Sequence, residues 1–166
     1  PYQKSEKGMN IVDQYLDELL EFCSFIKWYP DIFWDMYKPE TGGLNLDLYQ
    51  RVMMRQLSRF PENYFCIPRG GSKTLVHILE KYHAAVCHPN ITLTITSSTK
   101  ENAVKIWKEK HDEIVRFYPS FAENFKSVSF TKDTGKVEFV NGAVIDNLAN
   151  AQSSKGLRRR RGGLEE

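Results

Sequence analysis

The stretch "CIPRGGSKTLVHILEKYHAAVC", residues 66–87, decides how the rest of the chain is read. Its first nine residues approach the phosphate-binding pattern G-x-x-x-x-G-K-[ST] and depart from it twice, with Ile67 at the first glycine and Ser72 at the second. A helical pattern follows from about Lys73 to Cys87, with Leu75, Ile78, Leu79, Tyr82 and Val86 on one stripe. Before it, Tyr64 to Ile67 is a short apolar run of β-favouring residues, which predicts a strand. Strand, glycine turn and helix start together form the setting in which backbone N–H groups and the helix dipole converge on an anion. Gly70 and Gly71 then free the backbone to wrap a phosphate, Lys73 supplies charge for the β- and γ-phosphates, and Thr74 offers magnesium a hydroxyl. The side chain of Ser72 counts against this, because it sits where such a loop needs none. On these residues alone, a nucleotide site and a surface turn with a solvated lysine stand level.

Working outward, Ile91 to Thr96 alternates and is rich in β-branched residues, which predicts a strand. Ser98-Thr99-Lys100-Glu101 reads as a capping box opening a helix, with Val104, Trp107, His111, Ile114 and Tyr118 on one face and Pro119 as its end. Lys136 to Val140 and Ala143 to Leu148 read as strands joined by Asn141-Gly142, a strong signal for a tight hairpin. Upstream, Asn10 to Lys27 predicts an amphipathic helix capped by Asn10, with Val12, Leu16, Leu19, Cys23 and Ile26 on its stripe. Tyr29-Pro30 stops it, Asn45 to Arg59 predicts a second helix, and Pro61 to Asn63 breaks that one. Strand, loop, helix, strand, helix is the order of an α/β fold with a mainly parallel sheet and right-handed crossovers.

The 166 residues are 41% hydrophobic and 27% charged, enough for one domain with a core. A net charge of +2 makes no global case for nucleic acid, yet Lys155 and Arg158 to Arg161 put five cations near the C-terminus. Cys23, Cys66 and Cys87 are odd in number and widely spaced, which argues against a disulfide framework. No apolar run approaches the roughly 20 residues of a membrane span and no signal-peptide pattern opens the chain, so a soluble intracellular protein is expected. His83 and Cys87 lie one helical turn apart beside His88 but lack a third ligand at zinc-like spacing, so a packing role is expected. Trp28, Tyr29, Phe33, Trp34 and Tyr37 could stack bases; packing the N-terminal helix onto the domain is the plainer role.

Further motifs join the loop: "LYQ" at 48–50, "PRGGSKT" at 68–74, the strand and Ser/Thr loop at 91–99, "NG" at 141–142 and "SSKGLRRRRGGLEE" at 153–166. Over roughly Leu44 to Glu166 the chain resembles the N-terminal ATPase domain of the large terminase subunit, the DNA-packaging motor of tailed bacteriophages and related viruses. The resemblance implies a P-loop NTPase fold of the ASCE type over residues 44–166, preceded by a helical segment over 1–43. It implies ATP and Mg2+ as cofactors. Gln50 would sense adenine with Tyr49 stacking beside it, and Pro68, Arg69, Gly70, Gly71, Ser72, Lys73 and Thr74 would form the phosphate loop. Arg69 would face the γ-phosphate, Thr74 and Glu165 would hold magnesium, and Glu166 would orient the attacking water. Implied partners are double-stranded DNA, a portal protein, a small terminase subunit and further copies in a ring, with no membrane. The implied location is the host cytoplasm, transiently on the procapsid, and the family's nuclease domain would follow residue 166. One departure stands out. Arg160-Arg161-Gly162-Gly163-Leu164 replaces the apolar strand that precedes the family's acidic pair, and arginine and glycine suit a buried central strand poorly.

Two other functions fit parts of the pattern. A helicase-like translocase shares the glutamine, the loop and an acidic pair but usually presents Gly-Lys-Thr. A basic DNA- or protein-binding module with a degenerate loop and no hydrolysis would explain the arginine run without the carboxylates.

Overall fold

The computed structural model describes the backbone of residues 6–97, 99–149 and 161–164, and the side chains of 15–97 and 99–147. The first helix, α1, runs from Glu6 to Trp28, so Asn10 lies inside it and is not its cap. Of the described residues on its expected stripe only Ile26 is buried, while Leu16, Leu19 and Cys23 stay exposed. Pro30 occupies the first turn of a second helix, α2 (Pro30–Met36), where its missing N–H costs nothing. The aromatic run thus continues as helix. Trp34 and Phe33 are buried and pack on Phe121 at centroid distances of 4.6 and 6.2 Å, whereas Trp28 remains about half exposed.

Helix α3 (Leu48–Arg59) starts three residues later than its sequence pattern suggested, because Asp47 caps it in a capping box with Gln50. Two bidentate ion pairs tie it to α2, Arg55 to the fully buried Asp31 (2.9 and 2.7 Å) and Arg51 to Asp35 (2.6 and 2.9 Å). Helix α4 (Lys73–Cys87) has the bounds that its sequence predicts and is buried on nearly every side. Its last carbonyls are satisfied from outside, since Asn141 Nδ2 donates to Ala85 O (2.8 Å) and Val86 O (3.0 Å).

Strand β1 (Thr92–Ser97) leads into α5 (Lys100–Phe117). Its cap is Thr99, whose hydroxyl accepts from Asn102 N at 3.1 Å, so the expected box from Ser98 to Glu101 gives way to a cap one residue on. All five residues of its expected apolar face are buried. A 3-10 turn at Pro119–Asn124 then feeds β2 (Phe125–Phe130), a strand with no counterpart in the sequence pattern. Strands β3 (Gly135–Phe139) and β4 (Val144–Ala149) form the expected hairpin, with Gly142 at φ +83 in its turn. A last strand, β5, covers Arg161–Leu164.

The sheet order is β2-β3-β4-β1-β5. Strand β1 runs parallel to β4 and β5, whereas β3 is antiparallel to both β2 and β4. The sheet is therefore mixed rather than mainly parallel. The hairpin explains this, because a two-residue turn can join only antiparallel neighbours. A second correction concerns Tyr64 to Ile67, which form no strand and lie outside the sheet, with Tyr64 92% exposed. Phe65 and Ile67 instead pack, partly buried, against the core, while Tyr64 and Cys66 stay exposed. Strand β5 is at the sheet edge, which agrees with its glycines and arginine.

Helices α4 and α5 pack against the sheet, and α2 and α3 pack on α4. Between them lies a buried hydrogen-bond chain. Trp107 Nε1 donates to Tyr82 Oη (3.0 Å), and the Tyr82 hydroxyl lies 2.7 Å from His111 Nδ1. The indole can only donate, which leaves the phenol proton for Nδ1 and makes His111 a neutral acceptor. Burial lowers the His111 pKa and favours the same state. Tyr82→Phe keeps the ring and removes the bridge, stranding two buried polar atoms. It should lower unfolding free energy by about 2–3 kcal/mol in urea titrations, and a loss below about 0.5 kcal/mol would show that the chain does not stabilise the core.

Candidate phosphate site

The site is built around the start of α4. Gly70 adopts φ +84, and Gly71 N donates to Pro68 O at 3.2 Å, which closes a tight turn over Pro68-Arg69-Gly70-Gly71. Gly71 has no room for a side chain, because a Cβ there would collide with Ile67 Cγ2. Ser72 caps α4 in the left-handed region, at φ 50 and ψ 28. That is the conformation a glycine would supply without strain, so the serine keeps the glycine's geometry at a cost of about 1 kcal/mol. The first helical bond runs from Val76 N to Ser72 O, and the amides of Lys73, Thr74 and Leu75 precede it at the positive end of the helix dipole.

Lys73 is not a freely solvated loop cation. Its Nζ folds back and donates to Ile67 O at 3.3 Å in a half-buried position. Arg69 is exposed at the crown of the turn. Tyr49 reaches the loop from α3, its hydroxyl donating to Gly71 O at 3.3 Å while the residue stays 43% exposed. Gln50 is buried, and its Oε1 accepts from Asp47 N at 2.8 Å. Half of its amide is thereby committed to the helix start, which leaves only the Nε2 donor for a base. The spacing Asp47-x-x-Gln50 is itself a capping-box signal and could have been read from the sequence.

Behind the loop, Thr74 lines a narrow, mostly apolar crevice together with His77, Ile95, Thr96, Ser97 and Trp107, among others, with free space of about 10 Å³, the room one water molecule needs. It opens where the start of α4 meets the C-terminal end of β1. Parallel α/β sheets place their ligands at such strand ends. Strand β5 ends at the same level, with Leu164 paired to Thr96. Glu165 and Glu166 follow it directly in sequence and lie outside the described residues, as do the side chains of the arginine run. Of two other carboxylates in this half of the chain, Asp146 Oδ1 accepts from Thr94 Oγ1 at 3.0 Å within the sheet, and Asp133 is exposed with its backbone carbonyl bound to Asn147.

His77 is the residue of this site that the sequence did not reveal. It sits one turn after Thr74, lines the crevice, and holds Nε2 buried with no hydrogen-bond partner among the described residues. Burial, with Lys81 adding to it, pushes its pKa down to about 4. No signal of residue type or spacing separates it from an ordinary core histidine.

Among the described residues, no group of three or more His, Cys, Asp and Glu side chains could hold a metal on its own. His83 and Cys87 instead contact each other at 3.4 Å, while His83 Nε2 lies 3.0 Å from Ile26 O, an arrangement that packs α1 onto α4. Among the described residues no helix is long and apolar enough to cross a membrane. Compared with known proteins, the chain matches no family model and no curated protein sequence.

Proposed function

We propose that this chain is the nucleotide-binding part of an ATP-driven DNA-packaging motor of the large-terminase type, with a P-loop ATPase fold. One observation carries the reading. Thr74 in the first turn of α4 and Thr96 and Ser97 at the end of β1 line one crevice directly behind the glycine turn, which leads into α4 through the left-handed Ser72. An anion there would meet the amides at the start of α4, and Lys73 needs only to leave Ile67 O to reach it. Magnesium would be held by Thr74 and Glu165, and it would supply charge neutralisation for the phosphates. Arg69 at the crown would stabilise charge that develops on transfer, and Glu166 would orient the water. Tyr49 offers an exposed ring beside the loop for the base. Double-stranded DNA, a portal protein, a small terminase subunit and a homomeric ring are the partners this function requires.

A second reading is favoured by two observations: residues 64–67 lie outside the sheet, and the turn is closed by its own bonds at Gly71 and Lys73. Under it the chain binds partners and hydrolyses nothing. Melting curves with MgATP, MgADP and magnesium triphosphate separate the two. The motor reading expects stabilisation by all three, with Gln50→Ala weakening ATP more than triphosphate by up to about tenfold, one hydrogen bond to the base being at stake. Equal weakening of both ligands would assign Gln50 to capping alone. No stabilisation by any of them would leave the binding module.

A further inference from the structure

Helix α1 joins the body through its last turns, where Ile26 is buried and Phe25 stacks on Tyr29 at 4.3 Å. Back to Tyr15, the face that carries Ile26 continues without cover among the described residues. Tyr15, Leu16, Leu19, Leu20 and Phe22 are 44–68% exposed, although helical spacing places them on the same broad arc as Ile26. Monomeric proteins rarely leave apolar patches larger than about 300–600 Å² bare unless they bind something. Five large side chains on little more than two turns of one helix reach that range.

Charge selects the occupant. Between Gly8 and Ile26 the helix carries Asp13, Asp17, Glu18 and Glu21 and neither lysine nor arginine. A second copy of α1, laid alongside in either direction, would set this acidic middle against its own equivalent, and like charges across an interface are unfavourable. Lipid surfaces that take up amphipathic helices prefer a basic polar face, and anionic leaflets repel an acidic one. The complement is an apolar stripe flanked by cations. We propose that α1 is a docking helix for an amphipathic helix of another protein whose leucine-type stripe is rimmed by lysine or arginine.

Two designed helical peptides with one shared leucine stripe test this, one rimmed by lysines and the other by glutamates. Binding to the whole chain is read by fluorescence anisotropy, and self-association by sedimentation velocity. The lysine-rimmed peptide should bind about tenfold or more tighter, and the margin should shrink with added salt. Leu16→Glu with Leu20→Glu should abolish its binding; both positions are exposed, and circular dichroism checks that α1 persists. Asp17→Lys, Glu18→Lys and Glu21→Lys together should reverse the preference toward the glutamate-rimmed peptide, which mere stickiness would not do. Equal binding of both peptides, binding of neither, or no reversal would overturn the proposal. A dimer lost in the double leucine variant would give the face to a second copy, and binding to phosphatidylcholine vesicles would give it to lipid; either result also overturns it.

Discussion

Lys73→Ala should remove nearly all of the stabilisation that MgATP gives the wild-type chain while leaving the unliganded protein almost as stable as before. Among the described residues, Lys73 makes one side-chain hydrogen bond, to Ile67 O at 3.3 Å, from a half-buried position. Losing it costs at most about 1 kcal/mol. With ligand, the same ammonium would make charge-assisted bonds to two phosphates, each worth about 1.5–3 kcal/mol, so affinity should fall on the order of a hundredfold or more. Ligand present at a hundred times its dissociation constant adds about 2.7 kcal/mol to folding stability. After a hundredfold loss of affinity the same concentration adds only about 0.4 kcal/mol. Thermal melts of both proteins with and without MgATP show the contrast directly. A variant that keeps the full shift would place any nucleotide away from this loop, and the proposed function would fall with it.

The parts of this fold that were legible are those set by local chemistry. Lys73–Cys87 could be bounded because a glycine turn opens it and its apolar stripe runs unbroken to Val86. The hairpin announced itself through Asn141-Gly142, and α5 through Val104, Trp107, His111, Ile114 and Tyr118 at helical spacing. What escaped depends on partners distant in sequence. Tyr64 to Ile67 have the composition of a strand, but a strand exists only where another edge receives it, and among the described residues none does. Strand β2 was hidden for the opposite reason: its middle residues are exposed, so "FKSVSF" shows no buried face, yet β3 pairs with it. The stripe of α1 reads as core from its period alone, and only the packed structure shows that Leu16 and Leu19 stay exposed. In the candidate site, Lys73 and Thr74 were legible because a motif names them. Gln50 was legible as a polar residue at the right distance, but its capping bond to Asp47 gives it structural work as well.

His77 makes the largest contribution that no motif foretold, and it should govern stability in mild acid. In the unfolded chain a histidine takes its proton near pH 6.5, whereas in the folded chain burial holds His77 neutral down to about 4. Between those values the unfolded state binds a proton that the folded state refuses, so stability falls as pH drops through this window and levels off below it. One such group costs about 2 kcal/mol at pH 5 and about 3 kcal/mol by pH 4. His111 is lowered by burial too and pulls the same way. Asp31 titrates in a lower window, because its hydrogen bonds and ion pair with Arg55 outweigh burial and hold its pKa below the ordinary value. Urea titrations at pH 7 and pH 5 therefore isolate the histidines. His77→Leu fills an apolar crevice without the orphaned Nε2, so it should leave stability at pH 7 equal or slightly higher and recover about 2 kcal/mol at pH 5. If wild type and His77→Leu lose the same stability between those pH values, the imidazole must already be protonated in the folded chain and Nε2 must have found an acceptor in the crevice.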